Sequence, residues 1–333
     1  MPLLLRAVVV LAVVAVLGAC TDPTPAPSPS ASATTSGGPE VRIGVAPEAE
    51  SILLATVMAE LLDDAGMTPA LVELADAGAV RQALELGDVD VATGYTGQAW
   101  LEEFGRENPP GDPRTSFQRV RSADEPNGII WLRPEFDLDA GVDGPPADAT
   151  FGLFVSPATA TEVATIPQLA TVLAERPDAA ICVDPEFGER DDGWNALAAR
   201  YSITNRVLTA APPAEAMSGV VSGDCFVGLS TLTDGLAWVD GLVPLEDPLE
   251  VFPAFVVSVQ VREDALEELD GLEAALQPLA SDLTTRMLGT WNARVVQGDL
   301  LEDIATDAVA ELGVEPGGED GPGAASSSPT GDG

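Results

Sequence analysis

The chain has 333 residues, with 15 Lys+Arg against 54 Asp+Glu and a formal net charge of -39. All 15 cations are arginine, and neither histidine nor lysine occurs anywhere. Such a charge argues against binding to nucleic acid or to anionic lipid headgroups, and the two missing residue types exclude a histidine triad and a lysine Schiff base.

Met1 to Cys20 carries one early Arg6, an apolar run from Ala7 to Leu17, and then Leu17-Gly18-Ala19-Cys20. The run is too short for a permanent bilayer span and ends in small residues, as a cleavable export signal does. Its last four residues resemble a bacterial lipobox, in which the cysteine is lipidated and becomes the new N-terminus. An ordinary signal peptide that contains a cysteine is the alternative. Residues 21–40 are nearly all Pro, Ser, Thr, Ala and Gly, too little apolar surface to offset ordering entropy, and read as a tether. Residues 314–333 read as a disordered acidic tail. No later segment reaches about 18 consecutive apolar residues, so the mature protein is expected to be held to the outer membrane face by lipid alone.

With Cys20 set aside, Cys182 and Cys225 remain as an even pair in an oxidising compartment. A disulfide between them would close a loop of about 40 residues, worth roughly 4 kcal/mol in the chain-entropy account. Two buried free thiols are the alternative.

In chain order, Val41, Ile43 and Val45 alternate as a first strand. Leu54, Val57, Met58, Leu61, Leu62 and Ala65 recur at helical spacing until Gly66 stops the helix. Ala70 to Leu74 reads as a second strand, and Val80, Ala83 and Leu84 mark a helix closed by Gly87. Gly87 to Trp100, G-D-V-D-V-A-T-G-Y-T-G-Q-A-W, reads as a third strand breaking at Gly94, with Tyr95 just past its end. Local pattern leaves Tyr95 either a turn residue with a half-buried ring or a ring facing a ligand at a strand's carboxyl end. This β-α-β-α-β order implies a parallel sheet.

Residues 109–126 are polar and weakly patterned, and read as a segment crossing between domains. A second α/β set follows: strands at Thr150 to Val155, Ala180 to Val183, Arg206 to Thr209 and Cys225 to Leu229, with helices from Thr165, over Trp194 to Tyr201 and around Met217. Phe255 to Val261 is a last strand, and the helical patterns after it are expected to cover the first sheet. Walker A, G-x-S-x-G, C-x-x-C and EF-hand patterns are all missing. Acid pairs such as Asp88/Asp90 and Asp191/Asp192 are what chance supplies among 54 acids. No enzyme, cofactor or metal site is expected. Five aromatics follow predicted strands: Tyr95, Trp131, Phe136, Phe151 and Phe255. Grouped aromatic faces in a cleft would bind quaternary ammonium through cation–π attraction.

Several segments, in this order, are similar to the substrate-binding proteins of osmoprotectant ABC importers of the glycine betaine/choline/carnitine type. They are V-R-I-G-V-A-P-E-A-E-S-I-L-L (41–54), A-L-E-L-G-D-V-D-V-A-T-G-Y-T-G (83–97), V-D-P-E-F-G-E-R-D-D-G-W (183–194), T-D-G-L (233–236) and V-F-P-A-F (251–255). The resemblance implies an α/β type II periplasmic-binding-protein fold, two α/β lobes with a ligand cleft between them. Lobe 1 would span 41–122 and 238–313, and lobe 2 would span 123–237. Tyr95 and Thr96 match the Y-T-G motif, whose tyrosine belongs to an aromatic cage. Phe151 and Phe255 fall where the family usually has tyrosine, Phe136 would fill a further wall beside an inserted segment from Asp137 to Ala149, and Asp234 lies in the T-D-G-L match.

Ser51 stands where a glutamine is common and Ala77 where a threonine is, so two groups that hold a betaine carboxylate are changed, and Glu48 would oppose an anion. A choline-like cation is therefore expected rather than glycine betaine, delivered by lobe closure to an ABC permease. A surface lipoprotein on the same scaffold, binding another solute or a protein partner without transport, is the competing expectation.

Overall fold

The computed structural model describes residues 37–136, 146–189, 193–205 and 207–314. Cys20 with the leader, residues 21–36 of the tether, Asp191, Asp192 and the tail from residue 315 lie outside the described residues. Among the described residues ten strands form two five-stranded sheets: β1 (Glu40–Val45), β2 (Thr68–Glu73), β3 (Val91–Tyr95), β4 (Ile129–Trp131), β5 (Phe151–Val155), β6 (Ile181–Val183), β7 (Leu208–Ala210), β8 (Val227–Thr231), β9 (Val243–Pro244) and β10 (Val257–Arg262). The orders are β2-β1-β3-β10-β4 and β7-β6-β8-β5-β9.

β1 pairs in parallel with β2 and β3 and buries Val41, Ile43 and Val45. The ladder turns antiparallel at β10, which pairs Val257 with Tyr95 on one side and Gln260 with Trp131 on the other, so the first sheet is mixed rather than parallel. This pairing also carries β3 through the expected break at Gly94, making Tyr95 the last residue of the strand. Glycine is needed at 94 because a Cβ there would lie 2.7 Å from Gln260 and from the Trp131 ring. Phe255 falls just before β10, not in it.

Helix α1 (Ala49–Asp64) lays Leu53, Leu54, Val57, Met58, Leu61 and Leu62 on one sheet face. The C-terminal helices Leu272–Asp282, Thr285–Gln297 and Leu301–Glu311 complete that core with Leu276, Trp291 and Ile304. Helix α2 (Ala77–Leu86) covers the other face with Trp100, Phe117 and Trp131. Trp131 is thus core; its indole donates to Asp124 at 2.7 Å.

The polar stretch expected to cross between domains is instead a helix of the first sheet, Pro113–Asp124. Asp112 caps it by accepting from Thr115 N at 2.8 Å, Pro113 begins it, and Phe117 and Val120 bury its inner face while Arg119 and Arg121 face water. β4 joins the first sheet and β9 the second, so by strand membership the chain crosses within 132–150 and again within 245–256. The boundaries expected near 122 and 237 leave both strands on the wrong side. The crossings pair with each other through a bridge between Asp148 and Val256. Most of the supposed insertion, residues 137–145, lies outside the described residues.

In the second sheet, Thr165 caps the helix Ile166–Glu175 in a capping box with Gln168. Leu153, Ile166, Leu173, Trp194 and Val227 form its core. Cys182 on β6 and Cys225, which precedes β8, form a disulfide with Cα atoms 5.8 Å apart.

Candidate functional site

A cavity of about 410 Å³ opens between the two sheets. The first sheet supplies Tyr95 from the end of β3. The N-termini of α1 and α2 supply Glu48, Glu50, Ser51 and Ala77, and a π-helical turn after β3 (Ala99–Glu103), with the residue before it, supplies Gln98 and Glu102. Across the cleft, Thr150 precedes β5 and Phe151 begins it, Thr231 ends β8, and Phe255 comes from the second crossing. Among the described residues, the wall therefore holds three aromatic rings, three carboxylates and no arginine.

The rings are backed by fixed structure. Phe255 lies directly on Gly97, where any Cβ would overlap its ring. Phe151 stacks in a tilted arrangement on Phe187, 5.7 Å between centroids, and Phe187 meets Phe252 at 6.1 Å. The D-P-E-F segment thus contributes by supporting a cavity wall from behind.

Tyr95 is tied at its hydroxyl, which donates to Glu50 Oε1 at 2.8 Å. The other carboxylate oxygen accepts from Asn292 Nδ2 at 2.6 Å, and the Thr233 side chain adds its pull on the same carboxylate. Asn292 in turn donates to Thr233 O at 2.9 Å. Burial pushes the Glu50 carboxyl up from its ordinary range, against the opposing pull of those three donors. The Tyr95 phenol is driven far up, first by burial and then by the charge of Glu50 and Glu48. Ser51 Oγ accepts from Ala46 N at 3.1 Å, which leaves it a small polar spot in the wall, and Ala77 contributes only a methyl group. Gln98 donates to Glu102 at 3.1 Å.

Tyr95, Phe151, Phe255, Ser51 and Glu48 are therefore brought together, whereas Thr96, Asp234 and Phe136 are not in the wall. Thr96 is fully buried behind it; its hydroxyl donates to Ala254 O at 3.2 Å and accepts from Val256 N at 2.9 Å, which holds the segment carrying Phe255. Asp234 is spent on its own turn, accepting from Leu236 N at 2.8 Å and from the Ser230 hydroxyl. Phe136 packs on Phe117 at 5.7 Å under the Arg114 guanidinium. Sequence reasoning missed Glu50, Gln98, Glu102, Thr150 and Thr231. For Glu50 a signal was present: it stands next to Ser51 in the first turn of α1, one turn residue from a position already singled out.

Two mixed α/β sheets joined by two crossing segments, with an aromatic and acidic cavity between them, define a two-lobed solute-binding protein. Apo YehZ from Escherichia coli has this fold, with a TM-score of 0.74 at 24% identity over 83% of this chain and 99% of that one. A crystal structure of a glycine betaine/carnitine/choline ABC transporter matches with a TM-score of 0.73 at 19% identity, over 82% and 99%. A glycine-betaine-binding protein of Pseudomonas aeruginosa is 24% identical over 281 residues, 81% of this chain and 87% of that protein. Residues 39–311 match the substrate binding domain of ABC-type glycine betaine transport systems, and the chain belongs to that family. It is an extracytoplasmic solute-binding protein of an ABC importer. Among the described residues no helix is long and apolar enough to cross a membrane.

Proposed function

We propose that the cavity captures a compact quaternary ammonium cation of the choline type and presents it to the importer's permease. The observation that carries this reading is a wall of three aromatic rings and three carboxylates with, among the described residues, no cationic side chain. Tyr95, Phe151 and Phe255 form the cage. Three cation–π contacts supply roughly 1.5 to 6 kcal/mol, and micromolar binding needs about 8. The carboxylates are suited to supply the difference for a cation, while a betaine carboxylate would meet Glu48, Glu50 and Glu102 in place of a donor cluster. Two lobes closing about the paired crossings, and a lipid on Cys20 holding the protein at the membrane, complete the mechanism.

Thermal unfolding against choline, tetramethylammonium, carnitine and glycine betaine tests it. A ligand at 100 times its dissociation constant adds about 2.7 kcal/mol of stability. The expected result is a larger shift with choline than with glycine betaine, lost in Tyr95→Ala. A larger shift with glycine betaine would overturn the choice of ligand.

A further inference from the structure

Two buried carboxylates among the described residues are matched with arginine. Asp124 is gripped by Arg81 at 2.6 and 2.7 Å, and Asp90 bonds to Arg42 at 2.7 and 2.9 Å and to Arg262 at 3.0 Å. Asp148, in the first crossing, has no arginine but accepts two backbone N–H groups, from Phe255 at 2.8 Å and Thr150 at 3.1 Å. Glu50 differs from all three, because it faces the cavity and, among the described residues, every donor that reaches it is a neutral side chain.

Neutral donors orient a carboxylate without cancelling its charge. One of them is the hydroxyl of the cage tyrosine itself. An anion accepting from a phenol adds negative charge to the ring, and a ring face binds a cation through that negative charge. Resting on the ligand class proposed above, we infer that Glu50 is the resident counter-ion of the site, acting on the ligand's ammonium both across the cavity and through the Tyr95 ring, and so sets the preference for cations over zwitterions. Asn292 and Thr233 are the positioning residues that aim it.

The titratable groups around Glu50 are Tyr95 on β3, Glu48 at the start of its own helix and Glu102 in the same cavity wall. The helix Thr285–Gln297 and the turn after β8 bring it the uncharged Asn292 and Thr233. Asp234 in that turn is occupied by Ser230 and Leu236, and Arg286 lies against the Trp238 ring. Because burial raises the Glu50 carboxyl, its charge is lost on acidification before that of an ordinary glutamate. Affinity for a cation then falls as pH falls through that titration.

Calorimetric titration of the whole protein with tetramethylammonium and with glycine betaine, between pH 5 and 8, tests the assignment. In Glu50→Gln we expect tetramethylammonium affinity to drop by about tenfold or more at pH 8, glycine betaine affinity to hold or rise, and the pH dependence for tetramethylammonium to flatten. Tyr95→Phe keeps the ring and the carboxylate and removes only the hydroxyl link; a smaller drop for tetramethylammonium, with glycine betaine unaffected, gives the same comparison where Glu50→Gln does not fold. Unchanged affinity for both ligands, or an equal loss for both, overturns the role of Glu50 and leaves the ligand class standing. A wild-type protein that binds no tetramethylammonium overturns both.

Discussion

Two acidic residues of the first sheet's helices solve burial in opposite ways. Asp124, at the end of the helix Pro113–Asp124, is fully buried and saturated: Arg81 holds both oxygens, Trp131 donates at 2.7 Å and Asn127 at 3.0 Å. Arg81 also reaches Glu85 and Glu103, each at 2.7 Å, and so ties α2 to the π-helical turn whose other side presents Glu102 to the cavity. Among the described residues, Glu50 has the donors but not the cation. The difference teaches where a partner is built in and where one is left to come from outside: the first site is closed as a structure, and the second is the one we propose a ligand completes.

The most direct way to break that comparison is to turn the first site into the second. Arg81→Met keeps the bulk of the side chain and leaves Asp124 buried without a counter-charge. Removing one partner of a buried pair costs about 3–5 kcal/mol. Urea unfolding should show a loss of that size, and ligand affinity should fall with it because the turn carrying Gln98 and Glu102 loses its anchor. A variant as stable as the wild type would mean that Asp124 does not depend on Arg81.

Asp148 stands between the two cases, served by backbone donors alone. Burial pushes its carboxyl from the ordinary 3.8 up to about 6, against the pull of the Phe255 and Thr150 N–H groups. The sign follows from proton counting: between about pH 4 and 6 the folded state holds a proton that the unfolded state has released. The contribution is therefore complete below pH 4 and lost as pH rises through 6, at most about 3 kcal/mol. Asp148→Asn keeps an oxygen acceptor and cannot ionise. Its urea midpoint should match the wild type at pH 4 and exceed it at pH 8; equal midpoints at both would show that the carboxyl is not perturbed.

The contrast also marks what could be read from the chain. Alternation at Val41, Ile43 and Val45, the α1 apolar stripe and the Thr165 cap are local patterns, and each produced the element it announces. The helix Pro113–Asp124 was hidden because Arg114, Arg119 and Arg121 dilute its apolar stripe of Phe117 and Val120, although its Asp112-Pro113 start was visible. Tyr95 was legible through its motif, and Phe151 and Phe255 through the resemblance. Glu50 was marked only by its place beside Ser51, since one acid among 54 carries no pattern of its own and its partners Tyr95 and Asn292 lie 45 and 242 residues away. A charge without a counter-charge becomes visible only when folding shows which residues fail to arrive beside it.

Phe136 sharpens the same division at the smallest expected effect. It was placed by resemblance in the cage, yet its ring meets Phe117 at 5.7 Å and the Arg114 guanidinium sits 5.1 Å above it, on the Asp124 side of the lobe. The core it borders contains Trp100, Val120 and Trp131, none of which lines the cavity. Phe136→Ala should therefore cost about 1–2 kcal/mol of stability, less than a fully buried phenylalanine because the ring is only partly covered. Its dissociation constant for tetramethylammonium should stay within about twofold of the wild type, the span of additive, uncoupled sites. A loss of affinity as large as that of Tyr95→Ala would place Phe136 in the cage after all, and would mean that the arginine-lined side of the lobe reaches the ligand when the two lobes close.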